Sequence, residues 1–278
     1  MGYGLKTCRN WALGLAATAA LAGASPALAA DMAEPAAPAP FTFSTTEIQL
    51  QYGKLDNPFN GSKSWTPIVT LQHASSWVFG DVFFFIDYLD DKRTDVTNFN
   101  DKDFYGEFYG YFSSSKLLGV NYGDGLIKDI GVVGGLNAGA DSNYLSYLPG
   151  VYVDWKVPGF AFFRTQLTAV IDDSDFPAKQ KDGWQFDWSF AAPFEIAGQF
   201  FSLEGHIEYT ANSRNLSFGN KQSDWILGQP QLRWDAGYAL TGKKDVFFLG
   251  TEYQFWINKL GTKTIDESAF QALAVLRF

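Results

Sequence analysis

The sequence predicts an all-β protein: a transmembrane, antiparallel, up-and-down β-barrel of about twelve strands behind a cleaved N-terminal signal peptide. Three observations carry this prediction. Apolar and polar residues alternate from residue 44 to the last residue, in runs that approach or exceed the ~9–11 residues a tilted strand needs to cross a bilayer, whereas soluble strands centre on about 5–6. One face of these runs is aromatic, in a chain with 26 Phe, 13 Tyr and 9 Trp. Connections also alternate in length. KLDNPFNGSKS, DDKRTDVTNFNDKD, DDSDFPAKQKDG and ANSRNLSFGNKQSD are long and polar, while ASSW, VPG and AG are tight. Long loops on one side of a membrane and short turns on the other produce that parity. LLGVNYGDGLIKD and GYALTGKKD are longer than the parity requires, and the connection after the fifth strand is short.

The chain begins with Lys6 and Arg9, an apolar run from Trp11 to Ala24, and Ala27-Leu28-Ala29. A charged start, an apolar middle and a small-residue site mark a secretory signal, so residues 1–29 are expected to be removed. Cys8, the one cysteine, leaves with them, and the exported chain has no disulfide. The loss of Lys6 and Arg9 leaves 19 Lys and Arg against 30 Asp and Glu, a net charge of −11. An acidic surface argues against a nucleic-acid partner, because phosphate contact needs a positive field. Residues 30–43, which include ADMAEPAAPAP, read as a flexible leader. The barrel is expected over 44–278.

Strand by strand, the period of 2 sorts each run into an outward and a lumenal face. Strand one (44–53) turns Ile48, Leu50 and Tyr52 outward and Glu47, Gln49 and Gln51 inward. Strand two is 64–74. Strand three (77–89) contains GDVFFFIDYLD, in which aspartates bracket an aromatic run. Val82, Phe84, Ile86 and Tyr88 share a face without charge, suited to lipid, and Phe79, Asp81, Phe83, Phe85 and Asp87 share the other. A slip by one residue would place both aspartates in lipid, at a cost of kilocalories per charge. Strand four (103–116) sets Tyr105, Glu107 and Tyr109 inward against Phe104, Phe108 and Phe112. Strands five and six are 127–140 and 143–156. Strand seven (159–171) offers Arg164 and Gln166 inward. Strand eight (183–197) alternates Trp184, Phe186, Trp188 and Phe190 with Gln185, Asp187 and Ser189. Strand nine (199–211) offers Glu204, His206 and Glu208, strand ten (223–236) Gln229, Gln231 and Arg233, and strand eleven (244–259) Glu252 and Gln254. Strand twelve (267–278) ends the chain with Phe270, Ala272, Ala274, Leu276 and Phe278 on one face, the pattern of a terminal strand read by the outer-membrane assembly machinery.

The lumenal set mixes rings with carboxylates and amides. A wide pore has no use for Phe, whereas a narrow one lined this way grips planar polar solutes by stacking and hydrogen bonding. The stretches HASSWVFGDVFFFIDYLD and DFYGEFYGYFSSSKLLG, within Thr70 to Gly119, resemble the Tsx/OmpK group of nucleoside-specific channels of Gram-negative outer membranes. The resemblance implies a monomeric twelve-stranded barrel that takes up nucleosides passively, with Phe83, Phe85, Asp87, Glu107 and Tyr109 in its best-matching part. Arg164, Glu204, Glu208 and Arg233 complete the expected lumenal binding set. The alternatives are a surface-binding barrel, such as an adhesin or phage receptor, and a lipid-modifying barrel enzyme.

No catalytic centre, cofactor or metal is expected. The two histidines are His73 and His206. His73 has Ser75 and Ser76 near in sequence but no orienting acid, and a nucleophile needs such a partner. His206, with Glu204 and Glu208 on its face, either joins the lumenal polar network or holds a metal ion.

Overall fold

The computed structural model describes residues 41–91, 101–176, 178–211 and 223–278. The expected signal peptide and most of the leader lie outside the described residues. Strands β1 (Phe41–Asp56), β2 (Lys63–Trp77), β3 (Gly80–Leu89), β4 (Asp103–Ser113), β5 (Ile127–Gly139), β6 (Tyr144–Trp155), β7 (Phe162–Asp172), β8 (Gly183–Ile196) and β9 (Gln199–Ala211) follow one another around a single antiparallel sheet. They continue through β10 (Trp225–Gly228), β11 (Gln231–Trp234), β12 (Phe247–Ile257) and β13 (Glu267–Arg277), and β13 pairs with β1 to close the ring.

β10 and β11 are halves of one strand. Both lie between β9 and β12 in a continuous register, with Leu227 opposite Glu208 and Gln231 opposite Glu204. The ladder is interrupted where Pro230 has no amide to donate. The closed sheet is therefore a barrel of twelve strands. Closure leaves no free edge, so each strand has a hydrogen-bonded neighbour on both sides.

The faces follow the alternation read from the sequence. On β1, Glu47, Gln49 and Gln51 are buried and Ile48, Leu50 and Tyr52 are exposed. On β13, Phe270, Leu276 and the terminal Phe278 stand outward while Gln271, Leu273 and Val275 are enclosed. The outer surface is apolar and rich in rings: Tyr52 stacks on Trp65, Tyr88 meets Phe104, and Trp184 meets Tyr209. Such a surface is the one a bilayer covers.

Several boundaries differ from expectation, each for a local reason. β1 begins at Phe41 because Phe41 and Phe43 still pair with Trp77 and Ser76. β4 stops at Ser113, whose hydroxyl accepts the Lys116 amide at 3.0 Å and caps a short helix, α1 (Ser114–Leu118), that ends at left-handed Gly119. β11 stops where Asp235 caps α2 (Ala236–Thr241) by accepting the Tyr238 amide at 2.8 Å. These two helices fill the connections that are long at the otherwise tightly turned rim. That rim also carries the closing bonds between Phe278 and Thr46, 2.9 Å each.

At the opposite rim, Lys259 pairs with Glu267 at 2.6 Å, and Glu267 also receives the Asp56 amide. Burial lowers the Lys259 pKa, and Glu267 beside it works in the other direction. The pair ties the β12–β13 loop to the end of β1.

Candidate functional site

The lumen has two packed walls. One is built by β11, β12, β13, β1 and β2. Arg233, 2% exposed, places Nη1 3.1 Å from both Glu47 oxygens and 3.2 Å from Glu204. Arg277 donates to Glu47 at 2.6 Å. Gln231 donates to Gln49 at 3.2 Å and to Glu252 at 2.7 Å, and Glu252 also takes Gln51 and Gln271 at 2.8 Å. These bonds join strands far apart in sequence, so they brace the barrel from inside.

The second wall belongs to β4–β7. Tyr109, Tyr111, Val133, Leu148 and Tyr152 form an enclosed cluster, with Phe83 packed on it. Glycines of β5 make room for it: a Cβ at Gly135 would lie 2.5 Å from the Tyr109 ring, and one at Gly131 2.5 Å from the Tyr152 ring. Arg164 lies over the rings of Tyr111 and Tyr152, 4.0 and 4.5 Å from their centroids. Its guanidinium grips Asp154 through two bonds of 2.6 and 2.8 Å and reaches Asp81 on β3 at 2.6 Å. Lys116 of α1 donates to the same Asp81 at 3.2 Å.

Between the walls stand two open faces. On β3 and β4, Phe83 and Phe85 lie 6.2 Å apart by ring centroid, and Phe85 lies 6.0 Å from Tyr105. Asp87 accepts from Thr70 at 2.5 Å, and Glu107 accepts from Tyr105 at 2.6 Å and Asn137 at 3.1 Å. The register sets Phe83 opposite Tyr109 and Phe85 opposite Glu107. Five of the expected residues are thus contiguous: Phe83, Phe85, Asp87, Glu107 and Tyr109. Tyr109 is 4% exposed and backs the face, its hydroxyl donating to Asn137 at 3.3 Å.

The other open face belongs to β8 and β9, where Asp187 is paired with Glu208 and Ser189 with His206. Glu208 accepts from Gln185 at 2.9 Å. Glu204 stands apart from this group, held by Ser202 at 2.7 Å and by Arg233. Asp187 is the residue that joins His206 and Glu208, with one ligand atom of each of the three within 4.8 Å of the others.

Sequence reasoning missed Asp187 as a partner of His206, Tyr105 as a ring of the open face, and the Asp81–Arg164–Asp154 group. The inward parity of Asp81, Tyr105, Arg164, Asp187 and His206 was visible, but which strands face one another across the lumen was not. The local Ser–His arrangement does not form. His73 points outward, its Nδ1 2.9 Å from the Thr46 hydroxyl and its ring stacked on Phe84. Ser75 accepts the Trp77 indole at 2.8 Å, and Ser76 donates to Asp81 at 2.7 Å.

Fold and lumen together define a closed β-barrel with an apolar outside and a charged, aromatic inside. No family model and no curated protein matches the chain. Among solved structures, the KdgM porin is similar with a TM-score of 0.47 at 8% identity, over 84% of this chain and 99% of that one. The KdgM porin in complex with disordered oligogalacturonate gives the same values. OccK11 (OpdR) of Pseudomonas aeruginosa has a TM-score of 0.31 at 10% identity, over 84% and 96% of the two chains.

Proposed function

We propose that the chain is an outer-membrane channel of a Gram-negative bacterium for passive, selective uptake of small polar solutes, with nucleosides the leading class. The observation that carries this reading is the contiguous face of Phe83, Phe85 and Tyr105 beside Asp87 and Glu107. Rings take the face of a planar base, and carboxylates accept from ribose hydroxyls and exocyclic amines. Arg164 and Arg233 are engaged in ion pairs, so in this reading they shape the lumen, while Glu204 and Glu208 extend its negative lining. The outward Phe278 supports recognition by the assembly machinery, and the apolar exterior supports residence in outer-membrane lipid; a monomer is what the resemblance to the Tsx/OmpK group implies.

Two variants test the face. Stacking contributes about 1–3 kcal/mol per base, so Phe85→Ala is expected to weaken block of the channel current by adenosine about tenfold. Asp87→Asn is expected to weaken it as well and to lower preference for cations, since it removes a lumenal charge while its remaining oxygen still accepts from Thr70. Adenosine block unchanged in both variants would take this face out of solute selection.

A further inference from the structure

We propose that Asp187, His206 and Glu208 form a lumenal binding site for a divalent first-row transition-metal ion, of which Zn2+ is the best fit. The site is separate from the face of β3 and β4, and it binds or fails to bind whether or not the barrel conducts solute.

The strand register assembles it. Asp187 and Glu208 are directly opposed on β8 and β9, and His206 lies two residues along from Glu208 on the same inward face. Directly opposed side chains on neighbouring strands have Cβ atoms about 4.5–5.5 Å apart, and here one donor atom from each residue lies within 4.8 Å of the other two. Zn2+ binds imidazole nitrogen and carboxylate oxygen at about 2.0–2.2 Å in tetrahedral geometry, which sets donors around one ion about 3.4 Å apart. Rotation of the three side chains toward a common point brings the donors to that spacing.

The second observation is the state of the donors. Asp187 is 9% exposed, yet its carboxylate has no hydrogen-bond or ion-pair partner among the described residues, and neither does the His206 ring. Glu208 accepts from Gln185 through Oε2, which fixes the carboxylate's direction. Support of this kind orients a metal ligand. Asp187 and Glu208 bring two carboxylates together, and the lumenal arginines are engaged with other carboxylates. The Asp187 carboxylate and the His206 ring thus face the lumen with their donor atoms uncommitted. A divalent cation supplies the missing charge and takes all three donors at once.

Donor chemistry selects the ion. Ca2+ and Mg2+ are held by six or more oxygens. An imidazole with two carboxylates suits the later first-row ions. Three protein ligands leave a coordination position for water or for an electron-pair donor on a passing solute.

The experiment uses the mature barrel without a histidine tag, folded in detergent, titrated calorimetrically with Zn2+. One saturable site per chain is expected, with His206→Gln and Asp187→Asn each weakening binding at least tenfold and Mg2+ failing to compete. Folding of the variants is checked by the faster gel mobility of the unheated barrel. Titration of the unaltered barrel with Co2+ gives a reading that needs no variant. A visible ligand-field absorption that Zn2+ removes is expected. No saturable Zn2+ binding, no such Co2+ absorption, or Zn2+ binding unchanged in His206→Gln would each overturn the site.

Discussion

Phe84→Arg is expected to block assembly, and the same change one residue on, Phe85→Arg, to be tolerated. Phe84 stands on the outer face, stacked on His73 and opposite Phe108 on the next strand. An arginine at mid-height on a lipid face costs about 2–4 kcal/mol, and the ring's own contacts are lost as well. Phe85 points into the lumen between Gln72 and Glu107 on the neighbouring strands, with Asp87 two residues away on its own face. An arginine there gains carboxylates within reach. The check is the fraction of chain that refolds into vesicles and migrates faster unheated than boiled. A folded Phe84→Arg barrel alongside an unfolded Phe85→Arg chain would mean that the two faces are exchanged.

Arg164→Ala is expected to destabilise the barrel by about 3–5 kcal/mol, the usual consequence of removing one partner from a buried ion pair. Arg164 and Asp154 have side chains 11% and 14% exposed, and Asp154 has no other partner among the described residues. The change also strips the cation from between Tyr111 and Tyr152 and breaks the strut from β7 to Asp81 on β3. The double variant Arg164→Ala, Asp154→Ala should lose less than the two single changes added together, because the second removes the charge that the first strands. Urea midpoints of the four proteins in vesicles give the coupling. Additive losses would mean that the ion pair contributes nothing of its own.

These two expectations rest on different kinds of information. The face of Phe84 was legible in the sequence. Alternation is local, and a carboxylate in lipid is costly enough that Asp81 and Asp87 fix the register of β3 alone. The strand positions were legible for the same reason, and the long and short connections gave their order around the ring. The cap at Ser113 and the break at Pro230 were present in the sequence as an unremarkable serine and proline. They became visible only once the ladder they interrupt was in place. The partner of Arg164 on β3 was not legible at all. Asp81 lies 83 residues away, and no periodicity reports which strands face one another across a closed barrel. For the same reason the ion pairs of Arg164 and Arg233 with carboxylates of other strands, and the place of Asp187 beside His206 and Glu208, were not legible.

The central claim is that this barrel conducts and that its aromatic, acidic lumen selects planar polar solutes. Single-channel recording in planar bilayers tests it most directly, with adenosine or glucose added to one side. The account predicts a small cation-preferring conductance, partly blocked by adenosine and far less by glucose at the same concentration. Equal block by the two solutes would contradict the selective lumen, and a folded barrel that passes no current would contradict the channel itself.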